Sequence, residues 1–180
     1  DSAFDVINKN NTPFAIVVKK DTFEKPELKS INKKSEKNHS DLLREDVLKE
    51  LLALVEFNDL IISTTGKTSR EIFEIRSLNG EKQRDFLTVG GMGHTSSIAL
   101  GVAIGKPDKR VICIDGDGSL IMHMGSMPVI SDVSPKNFIH ILLNNEAHES
   151  VGGQRTSAEI INFRDLTNSV GYKNFEQIDD

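Results

Sequence analysis

The chain has 180 residues, with 22 Lys and Arg against 27 Asp and Glu, and its formal net charge is -5. This acidic balance argues against nucleic acid as a partner, and the single cysteine excludes an internal disulfide framework or a zinc site of several thiolates. No apolar run approaches the roughly 20 residues that span a bilayer, and the first residues are neither basic nor apolar enough for a secretory signal. We therefore expect a cytoplasmic α/β domain without a membrane partner.

Two zones precede the main pattern. Residues 13–18 read Pro-Phe-Ala-Ile-Val-Val, which predicts a buried strand, and we interpret residues 1–18 as the tail of a preceding domain. Residues 19–41 are polar and rich in Lys with Glu interspersed, so they predict a solvated linker. The alternative is a long surface loop of one compact domain, although loops of that length are uncommon.

From residue 42 onward, helical and strand patterns alternate. Continuous apolar strands separated by helices are typical of a parallel, doubly wound sheet, so residues 42–180 predict an α/β domain. No strand pattern follows the last helix, so we expect the domain to continue beyond this chain. The predicted elements are a helix over 43–55, a strand over 60–63, a helix from 69, a strand over 86–89, a helix over 95–104, strands over 110–115 and 138–143, and a helix over 163–170.

Three of the predicted strands end in residues suited to an anion and a metal. Gly116 and Gly118 let the backbone approach a ligand closely, and a helix expected to begin after Ser119 points amide donors at an anion. Asp117 and Asn145 offer the hard oxygen ligands that Mg²⁺ prefers. Ligands of open parallel sheets bind outside the carboxyl ends of the strands, so these residues predict a magnesium–diphosphate site. The alternative is that each strand ends in an ordinary turn.

The combination of these motifs carries a family resemblance. Gly116-Asp117-Gly118, followed at a particular separation by the second residue of Asn144-Asn145, resembles the thiamine diphosphate motif. The resemblance implies a diphosphate-binding fold with thiamine diphosphate and Mg²⁺ as cofactors. It also implies Asp117, Asn145 and the backbone carbonyl of Ala147 as metal ligands. The cofactor-binding residues that it implies are Thr65, Gly66, Gly91, Met92, Gly116, Gly118 and Ser119.

Longer segments narrow the resemblance to the phosphonopyruvate decarboxylases, and the similarity covers roughly residues 40–175. The departures are Gly91, where many relatives carry Ser, and Glu146 and Ala147, where Gly is commoner. In this superfamily a bulky side chain beneath the thiazolium bends the cofactor, and Met92 holds the matching position. A glutamate of another domain activates the pyrimidine ring. The resemblance therefore implies a pyrimidine-binding domain as partner, a homo-oligomer, and an isolated chain with little activity. The longer segments that carry this resemblance to the phosphonopyruvate decarboxylases are residues 64–71, 91–101 and 144–154.

The activity that the resemblance implies is the conversion of phosphonopyruvate to phosphonoacetaldehyde and carbon dioxide. Because this 2-oxo acid carries a phosphonate and a carboxylate, we hypothesise that Arg70, His94 and His148 neutralise it or relay a proton. The alternative for Arg70 is an ion pair with Glu71 or Glu74 on its own helix. The alternative functions are decarboxylation of sulfopyruvate or another 2-oxo acid, and a non-catalytic cofactor-binding subunit.

Overall fold

The structure is a computed structural model that describes residues 2–24 and 42–179. The chain divides into two compact units, Asp1–Ser35 and Glu36–Asp180. Within the described residues, no helix combines the length and the apolar character needed to cross a bilayer.

The described part of the first unit holds helix α1 (Ser2–Asn10). Residues 13–18, for which the sequence predicts a buried strand, have no regular secondary structure and are exposed, so that prediction is wrong. A strand needs a neighbouring strand for its backbone hydrogen bonds, and the described part of this unit supplies none. Residues 25–41, which make up most of the predicted linker, lie outside the described residues.

The second unit alternates helices and strands in the predicted order, and β2 is shorter than predicted. Its helices are α2 (Arg44–Leu54), α3 (Lys67–Leu78), α4 (Thr95–Gly105), α5 (Asp117–Met122), α6 (Ser126–Val133) and α7 (Phe163–Ser169). Its strands are β1 (Leu60–Ser63), β2 (Phe86–Leu87), β3 (Val111–Gly116), β4 (Phe138–Leu143), β5 (Ala147–His148) and β6 (Gln154–Arg155). Short 3-10 turns lie at Glu149–Val151 and Ala158–Ile160.

Four parallel strands form the central sheet in the order β2-β1-β3-β4. This arrangement confirms the predicted parallel, doubly wound α/β fold. The chain passes from β1 to β2 on one side and then places β3 on the other, so the strand order reverses between β1 and β3. Ligands of such sheets bind outside the carboxyl ends of the strands at this reversal. The pair β5–β6 is a separate antiparallel hairpin that follows β4.

Apolar clusters cover both faces of the sheet, which accounts for its continuous apolar strands. Alternate residues of a strand point to opposite faces. Thus Ile112 and Ile114 of β3 belong to a cluster with α2 and α3, whereas Val111 and Cys113 belong to a cluster with α4. Burial raises the pKa of the Cys113 thiol well above its usual value, so this cysteine is a packing residue rather than a nucleophile.

A buried ion pair fastens the segment before β2 to helix α3. Arg76 and Asp85 are each 1% exposed at their side chains, and Nε of Arg76 donates to Oδ2 of Asp85 at 3.0 Å. A second donor, Nη1 of Arg76, bonds the carboxylate of Glu81. Two carboxylates thus compensate one guanidinium that is shielded from water. Removing Asp85 would leave much of that charge buried without compensation.

We therefore expect Asp85→Ala to lower the free energy of unfolding of the chain by about 3 kcal/mol. Urea unfolding followed by circular dichroism measures the change. Lys49→Ala is the control, because the ion pairs of Lys49 among the described residues are with Glu45 and Asp46 on the exposed surface of α2. Its unfolding curve should match that of the unmodified chain. A curve for Asp85→Ala that also matched the unmodified chain would contradict the role given to the ion pair.

Candidate functional site

The four parallel strands end at one edge of the sheet, and hydrogen bonds link the turns that follow them. In the turn after β2, the Gly93 N–H donates to Oγ of Ser119, which follows β3, at 3.1 Å. In the same turn, the Gly90 N–H donates to Oγ1 of Thr65, which follows β1, at 3.2 Å. The structure therefore brings the predicted segments together where the strand order reverses.

Asp117 is the first residue of α5 and is only 2% exposed. The helix thus begins earlier than predicted from the sequence, which placed its start after Ser119. An acidic residue in the first turn is favoured by the helix dipole, which is consistent with this earlier start. Oδ2 of Asp117 accepts a hydrogen bond from Oγ1 of Thr156. Within the described residues Oδ1 has no hydrogen-bond donor, so one oxygen of a buried carboxylate is available to a cation.

The segment that follows β4, residues 144–156, folds back toward this edge, and we call it the β4 loop. Oδ1 of Asn145 accepts a hydrogen bond from the Ala147 N–H at 3.2 Å, and the Thr156 N–H donates to the Glu146 carbonyl at 2.9 Å. Glu146 has a φ of 57°, in the left-handed region that favours glycine. The resemblance gives Gly as the commoner residue here, and the backbone is one that Gly adopts without strain.

The three predicted metal ligands have the chemistry that Mg²⁺ requires. Asp117 offers a carboxylate, Asn145 a side-chain carbonyl and Ala147 a backbone carbonyl, all of them hard oxygen donors. Asp117 is buried, whereas Asn145 is exposed on the β4 loop. Mg²⁺ commonly takes its remaining positions from phosphate oxygens and water. The residues present fit the ion, and the set of three ligands stays a prediction.

Gly118 lies so close to the β4 loop that a side chain there has no space. A Cβ on Gly118 would lie 2.6 Å from Nδ1 of His148 and 3.2 Å from Cγ2 of Thr156. The half-buried ring of His148 therefore packs on the backbone of the first turn of α5. Ser119 is 1% exposed, and its hydroxyl accepts the hydrogen bond from Gly93. Its side chain thus joins two turns, which leaves its backbone as the part suited to an anion.

The turn between β1 and α3 shows the same close approach. Gly66 has a φ of 103°, and a Cβ there would lie 2.5 Å from Oγ of Ser150 in the β4 loop. Both the backbone angle and the contact therefore require glycine at position 66. Oγ of Ser69 donates to the Thr64 carbonyl at 2.7 Å, which holds the turn from inside. Thr65, the other predicted cofactor-binding residue here, is half-buried.

The turn after β2 holds Gly91, Met92 and His94. Gly91 has a φ of 55°, in the left-handed region that favours glycine. Met92 is half-buried and His94 is exposed. Nδ1 of His94 lies 3.1 Å from the Gly91 carbonyl, and its ring meets the ring of His123 with 4.1 Å between centroids. His123 is thus a neighbour of the site that the sequence motifs did not identify.

Arg70 is exposed and borders a groove of about 530 Å³ that Thr65 also lines. The alternative ion pair with Glu71 or Glu74 does not form among the described residues. Glu71 is instead held by Arg44, whose Nε and Nη2 each donate to it at 2.7 Å. The guanidinium of Arg70 therefore borders the groove without an ion pair from the described residues.

Thr156 and Ser150 complete the site. Thr156 lies outside the segments that the sequence motifs identified, and Ser150 lies in the segment 144–154 without an assigned role. Thr156 donates to Asp117, and Ser150 covers Gly66. The local clue is Gly152-Gly153 between two short segments, which is a hairpin signal and indicates that the chain turns back. The contacts themselves join segments far apart in the sequence, so no local pattern predicts them.

The fold and this edge define a class of protein, a parallel α/β domain whose strand ends suit a metal-bound diphosphate. Residues 65–179 match the family described as thiamine pyrophosphate enzyme, C-terminal TPP binding domain, and the chain belongs to this family. Thiamine diphosphate is therefore its cofactor, and Mg²⁺ is the ion that accompanies the diphosphate.

Several of the relatives are named as decarboxylases. The chain is 36% identical over 126 residues to the phosphonopyruvate decarboxylase of Streptomyces viridochromogenes. The aligned region covers 70% of this chain and 30% of the relative. It is 39% identical over 113 residues to the sulfopyruvate decarboxylase subunit beta of Methanocaldococcus jannaschii. That alignment covers 63% of this chain and 57% of the relative. The chain therefore spans less than two thirds of the length of either relative.

A solved structure shows the same fold. It is the thiamine diphosphate-dependent 4-hydroxybenzoylformate decarboxylase of Rhodococcus jostii RHA1, with a TM-score of 0.57 and 18% identity. The similarity covers 73% of this chain and 27% of that one. This similarity shows the fold of the domain, and membership of the thiamine pyrophosphate enzyme family rests on the match of residues 65–179.

The contact between Gly118 and His148 predicts the effect of a single methyl group. Gly118→Ala is expected to lower the free energy of unfolding by about 1 kcal/mol, because the ring of His148 must shift to admit the Cβ. Gly101→Ala in α4 is the matched control. It meets no atom within 4 Å and should raise stability by about 0.5 kcal/mol. Urea unfolding measures both. In a chain that also carries His148→Ala, which removes the ring, Gly118→Ala should cost less stability than it does in the unmodified chain. An equal cost in both backgrounds would contradict the steric explanation.

The backbone of Glu146 predicts a second effect. Glu146→Gly is expected to raise the free energy of unfolding by about 0.5–1 kcal/mol, because glycine relieves the cost of a left-handed conformation. Glu146→Ala keeps that cost and serves as the control, with stability close to that of the unmodified chain. Thermal unfolding compares the three proteins. The interpretation is wrong if the Gly variant is no more stable than the Ala variant.

Proposed function

We propose that the chain is the diphosphate- and Mg²⁺-binding part of a decarboxylase that converts phosphonopyruvate to phosphonoacetaldehyde and carbon dioxide. The observation that carries the proposal is the buried Asp117 carboxylate, one oxygen of which no described residue bonds, at the sheet edge where the strand order reverses and where the β4 loop packs. The similarity to the phosphonopyruvate decarboxylase of Streptomyces viridochromogenes supports this substrate.

The proposed roles of the binding residues follow from their chemistry. Asp117, Asn145 and the Ala147 carbonyl hold Mg²⁺ through hard oxygens. The turns at Thr65-Gly66 and Gly116–Ser119 bring backbone N–H groups close to the diphosphate, since glycine permits that approach. When bound, thiamine diphosphate supplies the electron sink for the bond to the departing carboxylate. The contribution of these residues is to bind the cofactor and fix its orientation.

Other side chains at the edge suit the thiazolium and the substrate. Met92, next to Gly91 in the turn after β2, has the bulk to support the thiazolium ring. Arg70 offers a cation to the phosphonate or the carboxylate of the substrate. His148 lies against Gly118 and His94 lies in the turn after β2, so either imidazole is placed to hold or move a proton.

Sulfopyruvate is the second candidate substrate, favoured by the similarity to the sulfopyruvate decarboxylase subunit beta. A sulfonate and a phosphonate are both tetrahedral oxyanions, so Arg70 would serve either. That relative is named as one subunit of an enzyme. It therefore favours an oligomer in which a pyrimidine-binding domain, on the same or another subunit, supplies the activating glutamate.

The test uses the full-length protein with thiamine diphosphate and Mg²⁺, offered phosphonopyruvate, sulfopyruvate and pyruvate separately. We expect the highest kcat/KM for phosphonopyruvate, with equal release of carbon dioxide and aldehyde. Asp117→Asn should lower kcat/KM about 100-fold, because it removes the charged ligand of the metal. Asp108→Asn, an exposed residue in the turn before β3, is the matched control and should keep full activity.

Each outcome separates substrate from cofactor. Faster turnover of sulfopyruvate would replace the proposed substrate and leave the cofactor site intact. Full activity of Asp117→Asn would overturn the metal assignment. A full-length protein that neither binds thiamine diphosphate nor releases carbon dioxide from any of the three acids would refute the proposed function.

A further inference from the structure

An ion pair outside the predicted site ties the β4 loop to the helices behind the sheet edge. Arg44 is the first residue of α2, and its Nε and Nη2 both donate to the carboxylate of Glu71 on α3 at 2.7 Å. This two-point contact fixes the plane of the guanidinium. The remaining terminal nitrogen, Nη1, donates to Oε2 of Glu149 in the β4 loop at 2.7 Å. Arg44 thus connects two helices and the loop through one rigid group.

Glu149 lies at the centre of the part of the β4 loop that packs on the strand ends. The residue before it, His148, packs on Gly118 after β3, and the residue after it, Ser150, packs on Gly66 after β1. Glu149 therefore lies between the two contacts that seat the loop on the strand ends. Ala147, whose carbonyl is a predicted metal ligand, is two residues away.

The charges around Glu149 make the contact electrostatic as well as geometric. Nζ of Lys67, the first residue of α3, lies 3.4 Å from the same carboxylate. The Glu149 side chain is 39% exposed and that of Arg44 is 20% exposed. A pair this accessible adds little to global stability, so its main consequence is the position of the loop.

We propose that Arg44 and Glu149 are positioning residues that hold the β4 loop on the strand ends so that its metal-binding segment is already in place when Mg²⁺ and the diphosphate bind. This inference rests on the proposed function for the identity of the ligand. The geometry of the anchor does not depend on the substrate. The polar contacts of Arg44 and Glu149 with other described residues are with Glu71 and Lys67, so we infer that they act on the cofactor-binding turns through His148 and Ser150.

The first measurement needs no cofactor. The Gly153 N–H donates to the His148 carbonyl at 3.0 Å, and the Thr156 N–H donates to the Glu146 carbonyl at 2.9 Å, so their hydrogen exchange reports how well the loop is ordered. Glu149→Ala should speed the exchange of both amides about tenfold. Lys49→Ala on α2 is the control and should leave the exchange unchanged, because its partners are exposed residues of the same helix.

The second measurement is the affinity of the holoenzyme for Mn²⁺, which replaces Mg²⁺ as a paramagnetic probe, with thiamine diphosphate present. Glu149→Ala and Arg44→Ala should each weaken Mn²⁺ binding about tenfold, and the double variant should be no weaker than either single variant. Glu149→Gln, which keeps an acceptor for Arg44 but loses the charge, should fall between the unmodified enzyme and Glu149→Ala. It also serves as the milder variant if the Ala substitution prevents folding.

The two measurements separate the possible failures. If the unmodified enzyme binds Mn²⁺ and thiamine diphosphate but both exchange and Mn²⁺ affinity are unchanged in Glu149→Ala and Glu149→Gln, the positioning role is wrong. Independent effects of the two single variants, which multiply in the double variant, would also overturn it. If the unmodified enzyme binds neither ligand, the proposed function fails, and the exchange of the two amides still decides whether Arg44 and Glu149 hold the loop.

Discussion

The central constraint in this structure is that all four strands of the sheet run in the same direction, so their carboxyl ends share one edge. Between its two layers of helices the sheet is apolar, and an uncompensated carboxylate placed there would be costly. At the edge the backbone leaves the sheet, and glycines permit the close approach of a ligand. Asp117 is placed there, buried yet with one carboxylate oxygen that no described residue bonds.

The β4 loop turns this edge into a candidate site because it packs on two glycines at once. His148 fills the space above Gly118, and Ser150 fills the space above Gly66. These contacts interlock segments that follow β1, β3 and β4, so a change in any one of them is transmitted to the others. Ion pairs from α2 and α3 to Glu149 hold the same loop from outside.

The family match assigns thiamine diphosphate to this chain, while the relatives show different surroundings for the same domain. The matched region makes up 30% of a phosphonopyruvate decarboxylase and 57% of a sulfopyruvate decarboxylase subunit beta. Under the proposed function, this chain anchors the diphosphate and metal, and a separate domain activates the pyrimidine ring. This division explains why the candidate residues of the chain are ligands, glycines and cations rather than a complete set of catalytic groups.

Local sequence patterns determined the type and order of most elements from α2 to α7, because apolar periodicity over a few residues is enough to define a helix or a buried strand. They did not predict the separate helix α6 or the short strands β5 and β6. They also identified Asp117, Asn145 and the glycine turns as candidates. The run at 13–18 misled because apolar residues form a strand only beside another strand. The partner of Glu71 is Arg44 rather than Arg70, and Thr156 bonds Asp117, because such pairs depend on how distant segments pack. The sequence by itself thus determined the elements and the chemistry at their ends, and only the tertiary structure decided which side chains meet.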